Sequence, residues 1–263
     1  MASTALRSRQ PPPPFRRVEV RRVEVRTPRL TRVTLAGPEL EGFVLEEPAA
    51  SVRLLLPSPG TDALVVPEWH GNEFLLPDGR RPVIRTLTPR RFDGAALELD
   101  VEIVRHGGGL ASAWAGAAGP GTPVAVSGPG RGYAFDAEAR ELLVAGDETA
   151  LPAIAQLLEA LPSGVRARVL VEVADREAEL PLPVGEGVAV SWHELPPGGG
   201  PGDALVAAVR ETSFGAGARV WAAGEAAAMQ RIRRHLFEER EVPRRHAVVR
   251  GYWKAGRTGT GDD

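Results

Sequence analysis

Apolar and polar residues recur with two different periods along this chain. From residue 15 to about 130 the apolar positions alternate with polar ones in short runs broken by Pro and Gly, as in half-buried strands. The runs are FRRVEVRRVEVRT, LTRVTLAG after a Thr27-Pro28 turn, SVRLLLP, VIRTLT, LELDVEIV and TPVAVSG. LELDVEIV is the clearest, with Leu97, Leu99, Val101 and Ile103 on one face and Glu98, Asp100 and Glu102 on the other. In the first run RRVEV repeats after five residues, so Val18 and Val20 share one parity and Val23 and Val25 the other. A bulge or sharp bend is expected between them. Six short strands separated by turn signals predict a small antiparallel β-barrel.

From residue 140 the period changes. ELLVAG, RARVLVEV, VAVSWHEL, RVWAAG and HAVVRGYW read as buried strands. ALPAIAQLLEAL, DALVAAVRE and EAAAMQRIRRHLFEER, lying between them, have helical spacing. Strands alternating with helices predict an α/β domain with a parallel sheet and right-handed crossovers. The expected organisation is a leader 1–14, a barrel domain 15–136, an α/β domain 137–256 and a tail 257–263, with both termini disordered. Two Gly/Pro-rich stretches, LPLPVGEG and LPPGGGPGD, read as surface loops of the second domain. A barrel followed by a nucleotide-type α/β half is itself informative, because ligands of parallel sheets bind beyond the C-terminal strand edge.

Composition narrows the chemistry. The chain has 263 residues, 43% of them hydrophobic and 25% charged, which is ample for buried cores. A formal net charge of -2 gives no electrostatic reason to expect nucleic acid or membrane as a partner. With no cysteine, disulfides, thiolate metal sites, iron–sulfur clusters and thiol nucleophiles are excluded together. No run approaches the ~18 apolar residues of a membrane span. MASTALRSRQPPPP lacks the apolar centre of a signal peptide, so a cytoplasmic location is expected. The five histidines have neither HxxxH nor HExxH spacing, so no protein-held metal is expected. G-x-S-x-G and G-x-G-x-x-G are both absent from the sequence.

Five segments carry candidate binding chemistry. RTLTPRRFD sets Arg85 and Leu87 on one side of a strand and Thr86 and Thr88 on the other, with Pro89 expected to end the strand. Arg85 can present a planar guanidinium to a phosphate, beside threonine hydroxyls. Arg90 and Arg91 read as turn or surface residues. IVRHGGGLASAWAG passes from a strand through His106 and Gly107 to a helix start, where free amides and Ser112 suit an anion. ELLVAGDETALPAI places Gly146, Asp147, Glu148 and Thr149 in a strand-to-helix turn, with Thr149 the expected cap. Its two acids would repel a phosphate unless they face away or bind ribose hydroxyls. RVWAAGEA is a second such junction at Gly224 and Glu225, and GYWKAG sets Tyr252, Trp253 and Lys254 just past the last strand.

In this order the segments RTLTPRRFD, HGGGLASAWA, AGDETALPAI, VWAAGEA and GYWKAG resemble the siderophore-interacting protein family, flavin-dependent ferric-siderophore reductases of the ferredoxin-NADP reductase superfamily. The resemblance covers nearly the whole chain after the leader. It implies an FAD-binding barrel and a pyridine-nucleotide domain. Arg85 would then lie on the FAD phosphates, with Thr86, Leu87 and Thr88 near the cofactor. His106, Gly107, Ala111, Ser112 and Trp114 would form the pyrophosphate turn. Gly146, Asp147, Glu148, Thr149, Ala150, Gly224 and Glu225 would face NAD(P)H. Arg53, Arg131 and Lys254 would draw in the anionic ferric siderophore.

Two positions depart from the family pattern. Leu87 stands where the family has a flavin-stacking Tyr, and Leu110 where it usually has Pro. The implied reaction is hydride transfer from NADPH or NADH to FAD, then single-electron transfer to a ferric chelate, with no side chain as acid, base or nucleophile. The alternatives are an NAD(P)H:flavin or quinone reductase of the same superfamily, a chelate-binding protein without turnover, and ferredoxin as electron donor. Arg176 in EVADREAEL is a candidate for reading the 2′-phosphate of NADPH. A monomer is expected.

Overall fold

The computed structural model describes residues 12–61, 63–105 and 108–256. Its first half is a seven-stranded antiparallel sheet built from β1 (Phe15–Thr27), β2 (Leu30–Ala36), β3 (Val52–Leu56), β6 (Val83–Leu87), β7 (Pro89–Asp93), β8 (Glu98–Val104) and β9 (Pro123–Ser127). A separate small hairpin, β4 (Glu68–Trp69) with β5 (Phe74–Leu75), interrupts the series. The sheet order is β6-β3-β9-β1-β2-β8-β7. Its two outer strands are consecutive in the chain, separated by Thr88 alone. One segment, 83–93, therefore pairs with β3 through its first half and β8 through its second, and the sheet closes into a barrel.

That closure corrects the expectation that Pro89 ends the strand. Proline lacks an N–H, so it sits at the register shift between Pro89 and Arg91, where the ladder is already broken. The chain bends there and pairs on, so Arg90 and Arg91 belong to β7. The expected bulge in β1 is present, as a register shift between Val20 and Arg22. Val18 and Val20 are buried in the barrel, whereas Val25 is exposed. The barrel interior is filled by Val18, Val33, Leu54, Leu99, Val101, Val124 and Val126. On the opposite face of β8, Glu102 is buried by its pairing with Arg32, and Asp100 accepts from Thr34.

The second half is an all-parallel sheet of β10 (Glu141–Asp147), β11 (Arg166–Val173), β12 (Val188–Glu194), β13 (Arg219–Glu225) and β14 (Ala247–Trp253). Its order is β12-β11-β10-β13-β14, which reverses direction between β10 and β13. Four helices accompany the strands: α1 (Leu110–Ala117) between β8 and β9, then α2 (Leu151–Glu159), α3 (Asp203–Glu211) and α4 (Ala226–Arg234). One face of the sheet buries Val144, Val169, Val171 and Trp221 against Ile154 and Leu157 of α2. The other buries Leu143, Leu170 and Val220 against α3 and α4 through Leu205, Val209, Met229 and Ile232. The helix expected over 225–240 is α4 followed by a π-turn, His235–Glu239, in which His235 Nδ1 lies 2.8 Å from Glu239 Oε2.

Residues 12–14 of the expected leader are placed, with Ser127 Oγ donating to the Pro13 carbonyl. The rest of that segment, the tail 257–263, His106 and Gly107 lie outside the described residues. Among the described residues no helix is long and apolar enough to cross a membrane.

Candidate functional site at the barrel seam and the sheet switch point

The order of the parallel sheet fixes where a ligand can sit. Ligands of such sheets occupy the crevice beyond the C-terminal strand ends where the order reverses, here between β10 and β13. Gly146 is in register with Ala223, so the Gly146–Ala150 and Gly224–Glu225 turns, far apart in sequence, stand side by side at that point. A Cβ on Gly146 would lie 2.5 Å from Ala150 Cβ and 3.1 Å from the Ala223 carbonyl. On Gly224 it would lie 2.6 Å from Asp147 Oδ2. Both glycines permit close approach of the two strand ends.

The acids at these turns are turned inward. Asp147, buried, caps the turn with Oδ1, which accepts from Thr149 N at 2.9 Å and from Thr149 Oγ1 at 2.5 Å. The cap is therefore Asp147, and Thr149 is its donor, because the aspartate precedes the free amides and reaches back to them. Asp147 Oδ2 accepts from Glu225 N at 2.9 Å and Trp253 Nε1 at 2.8 Å. Burial pushes the Asp147 carboxyl above the usual aspartate range, opposed by the bonds from Thr149 and Trp253. Glu225 accepts from Ala228 N and Ala255 N. Glu148 accepts from Arg29 Nε at 2.9 Å and Ala174 N at 2.7 Å, tying the barrel to the sheet. Ala150 is fully buried.

From the barrel side, the seam arrives at the same place. Thr88, buried between β6 and β7, donates to the Tyr252 hydroxyl at 3.4 Å. Burial raises the Tyr252 phenol above its ordinary value. Tyr252 and Trp253, adjacent on β14, thus link the barrel seam to Asp147 at the switch point, so the C-terminal aromatics fasten the junction between the two sheets. Gln156 fastens it again: its Nε2 donates to the Pro89 carbonyl and its Oε1 accepts from Ala49 N, each at 2.8 Å. Arg90 pairs with Glu159.

The remaining candidates divide by position. Arg85 is half-buried and donates to the Ile84 carbonyl at 2.7 Å, while Thr86 is exposed and pairs in register with Arg53 on β3. Leu87 is opposite Val52 and packs on the barrel core, as do Ala111 and Trp114 of α1. Gly109, at φ 91°, starts α1 and as a glycine offers its amides no side-chain cap of its own. Ser112 is half-buried beside them, and the Trp114 indole N–H is buried with no partner among the described residues. A guanidinium, an exposed hydroxyl, an uncapped helix start and an unmet N–H form a donor set that suits an anionic dinucleotide.

Arg53, Arg131 and Lys254 are all exposed. The loop carrying Arg131 is bonded to Ser51 through Gly130 N at 2.7 Å, and Gly132 O accepts from Arg250 at 3.4 Å. Those bonds draw the Arg53 strand and the strand that leads to Lys254 toward one loop. Arg29, Gln156 and Arg250 escape sequence reasoning. Arg29 and Arg250 are lost among many arginines. Gln156 carries a legible signal, as the only polar side chain between Leu151 and Leu158.

Residues 19–133 match the siderophore-interacting FAD-binding domain and residues 139–256 the siderophore-interacting protein domain. The chain belongs to the siderophore-interacting protein family. A siderophore utilization protein from T. fusca has a crystal structure that superposes with a TM-score of 0.84 at 36% identity, over 96% of this chain and 97% of that one. The NADPH-dependent ferric-chelate reductase of Escherichia coli (strain K12) is 30% identical over 248 residues, 92% of this chain and 93% of that protein. Ferric vibriobactin reductase of Vibrio cholerae is 29% identical, over 87% of this chain and 85% of that one. The FAD/NAD-binding domain of a nitric oxide dioxygenase from Vibrio cholerae and phthalate dioxygenase reductase, at 15 and 16% identity with TM-scores of 0.63 and 0.61, share the fold alone, which is ferredoxin-reductase-like. The barrel is thus the family's FAD-binding domain, and its donor set fits that cofactor.

Proposed function

We propose that this protein is an FAD-dependent reductase of ferric siderophores that takes its electrons from a reduced pyridine nucleotide. The observation carrying this reading is the junction itself. An FAD-type barrel and a nucleotide-type sheet meet where Thr88 bonds Tyr252 and Trp253 bonds Asp147. The names of the E. coli and V. cholerae relatives support ferric-chelate reduction as the reaction class.

When bound, FAD supplies the conversion of a two-electron donor into single electrons for Fe(III). In this reading Arg85 and the uncapped α1 start, with Ser112, hold the cofactor phosphates, and Trp114 and Thr86 supply further donors. Gly146 and Gly224 let the two strand ends close together below the crevice, and Asp147 and Glu225 hold the two turns in place. Arg53, Arg131 and Lys254 attract an anionic chelate despite the net charge of -2. Hard anionic oxygen donors favour Fe(III), so reduction loosens the chelate and releases the iron as Fe(II).

The test is anaerobic. NADH or NADPH is expected to bleach the yellow spectrum of the FAD-loaded protein, and a ferric siderophore to restore it. Lys254→Ala should slow the second step and leave the first unchanged. Restoration by quinone or free flavin, at rates indifferent to Lys254→Ala, would favour the superfamily alternative. Restoration by no acceptor at all would leave a chelate-binding protein.

A further inference from the structure

Resting on the reductase reading, the ends of two strands go further and bear on which pyridine nucleotide is used. In a parallel sheet with a switch point, the adenosine half of a dinucleotide lies over the strands on the far side of the first, here β11 and β12. Their ends therefore face the adenosine ribose. Val173 closes β11 in register with Glu194, the last residue of β12. The segment leaving β11, ADREAE, adds Asp175, Glu177 and Glu179 to Glu194 against a single cation, Arg176.

Arg176 is the side chain a 2′-phosphate would need, and it is already bracketed. Its Nε lies 3.5 Å from Glu194 Oε2 and its Nη1 3.9 Å from Glu179 Oε1. Each pair is weak alone, but together they set two carboxylates within 3.9 Å of the guanidinium, so an incoming phosphate must compete with both. Asp175 adds a further carboxylate, whose Oδ1 is buried with no hydrogen-bond partner among the described residues. A 2′-phosphate would bring further negative charge to a strand end that is already acidic, whereas a ribose diol brings donors.

We infer that the ends of β11 and β12 make this protein select NADH over NADPH, with Glu194 and Glu179 competing for Arg176 and Asp175 adding a further negative charge. The choice is the opposite of that printed in the name of the E. coli relative.

The experiment titrates FAD-loaded protein with 5′-AMP and with 2′,5′-ADP by calorimetry, which needs no turnover. The expected result is AMP binding at least about tenfold more tightly, the scale of discrimination one polar group provides. Glu179→Gln with Glu194→Gln, the first half-buried and the second exposed, should raise 2′,5′-ADP affinity severalfold and leave AMP within about twofold. Adding Arg176→Ala should remove that gain. Equal or tighter binding of 2′,5′-ADP by the unaltered protein overturns the inference, as does an unchanged ratio in the double variant. If neither probe binds, the ribose assignment falls; bleaching of the bound flavin by NADH then shows whether the reductase reading survives it.

Discussion

The Trp253 indole N–H donates to Asp147 Oδ2 at 2.8 Å, joining the end of the last strand to the end of the first strand of the parallel sheet. Trp253→Phe keeps the bulk and removes the donor, leaving a buried carboxylate with one fewer partner. The expected loss is about 1–3 kcal/mol in urea denaturation. Its pH dependence has a definite sign. Burial raises the Asp147 pKa in the fold, so the protonated form favours folding at acid pH and this contribution is lost as pH rises. Without the indole the pKa rises further, so the deficit of the variant should widen from acid to neutral pH. A deficit independent of pH would show that Asp147 does not feel the indole.

Gly146→Ala should be destabilising although alanine is a conservative change. The new Cβ would meet Ala150 Cβ at 2.5 Å and Ile154 Cδ1 at 3.1 Å, at the point where β10 passes into α2. Overpacking of this kind costs roughly 1–3 kcal/mol, visible as a lowered thermal midpoint, and should weaken nucleotide binding in parallel.

Gln156→Leu tests the second fastening of the junction. It removes the partners of two backbone groups, Pro89 O and Ala49 N, at a buried position. About 2 kcal/mol or more should be lost, and hydrogen exchange should quicken at Ala49 more than in the core of either sheet.

Asp136→Asn should destabilise in a pH window opposite to that of Asp147. Backbone bonding from Glu138 and the pairing with Arg219 hold the Asp136 carboxyl below the ordinary aspartate range. A lowered folded-state pKa contributes stability above the unfolded value and loses it as pH falls through the folded one. The thermal midpoints of variant and parent should therefore differ at pH 7 and converge below about pH 4.

Leu87→Tyr restores the aromatic residue of the family pattern. It should tighten FAD by about 0.5–1.5 kcal/mol, the worth of an aromatic pair beyond its buried area, measured by quenching of flavin fluorescence. No change in affinity would mean that the side chain stays against the barrel core, where Leu87 now packs.

The element pattern was legible in the sequence because it is local. A period of two over LELDVEIV and helical spacing over DALVAAVRE follow from which face each element must bury, and both appear as β8 and α3. The repeated RRVEV forced a bulge for the same reason, since a five-residue repeat cannot keep one face of a strand inward. The binding segments were legible as types: glycines at strand ends, an arginine beside threonines, and a pair of aromatics. The aromatics were expected just past the last strand, and the structure puts them within β14 instead because the strand pairs on through Trp253.

What the sequence left open was where those groups point and what they meet. Pro89 read as a terminus because proline cannot donate to a ladder, yet barrel closure needed a bend there, and Gln156, 67 residues away, accepts the geometry by bonding its carbonyl. For Asp147 and Glu148 the sequence left open whether they face away or bind ribose hydroxyls, and packing turned both inward to amides, an indole and Arg29. Arg176 was one candidate among many arginines for a 2′-phosphate, and only the fold brings Glu194 of β12 beside it. Periodicity is a property of neighbours in the chain, so the sequence determines it alone. Partnership between charges and donors far apart in sequence exists only once the two sheets have closed on each other, and it was the tertiary structure that decided it.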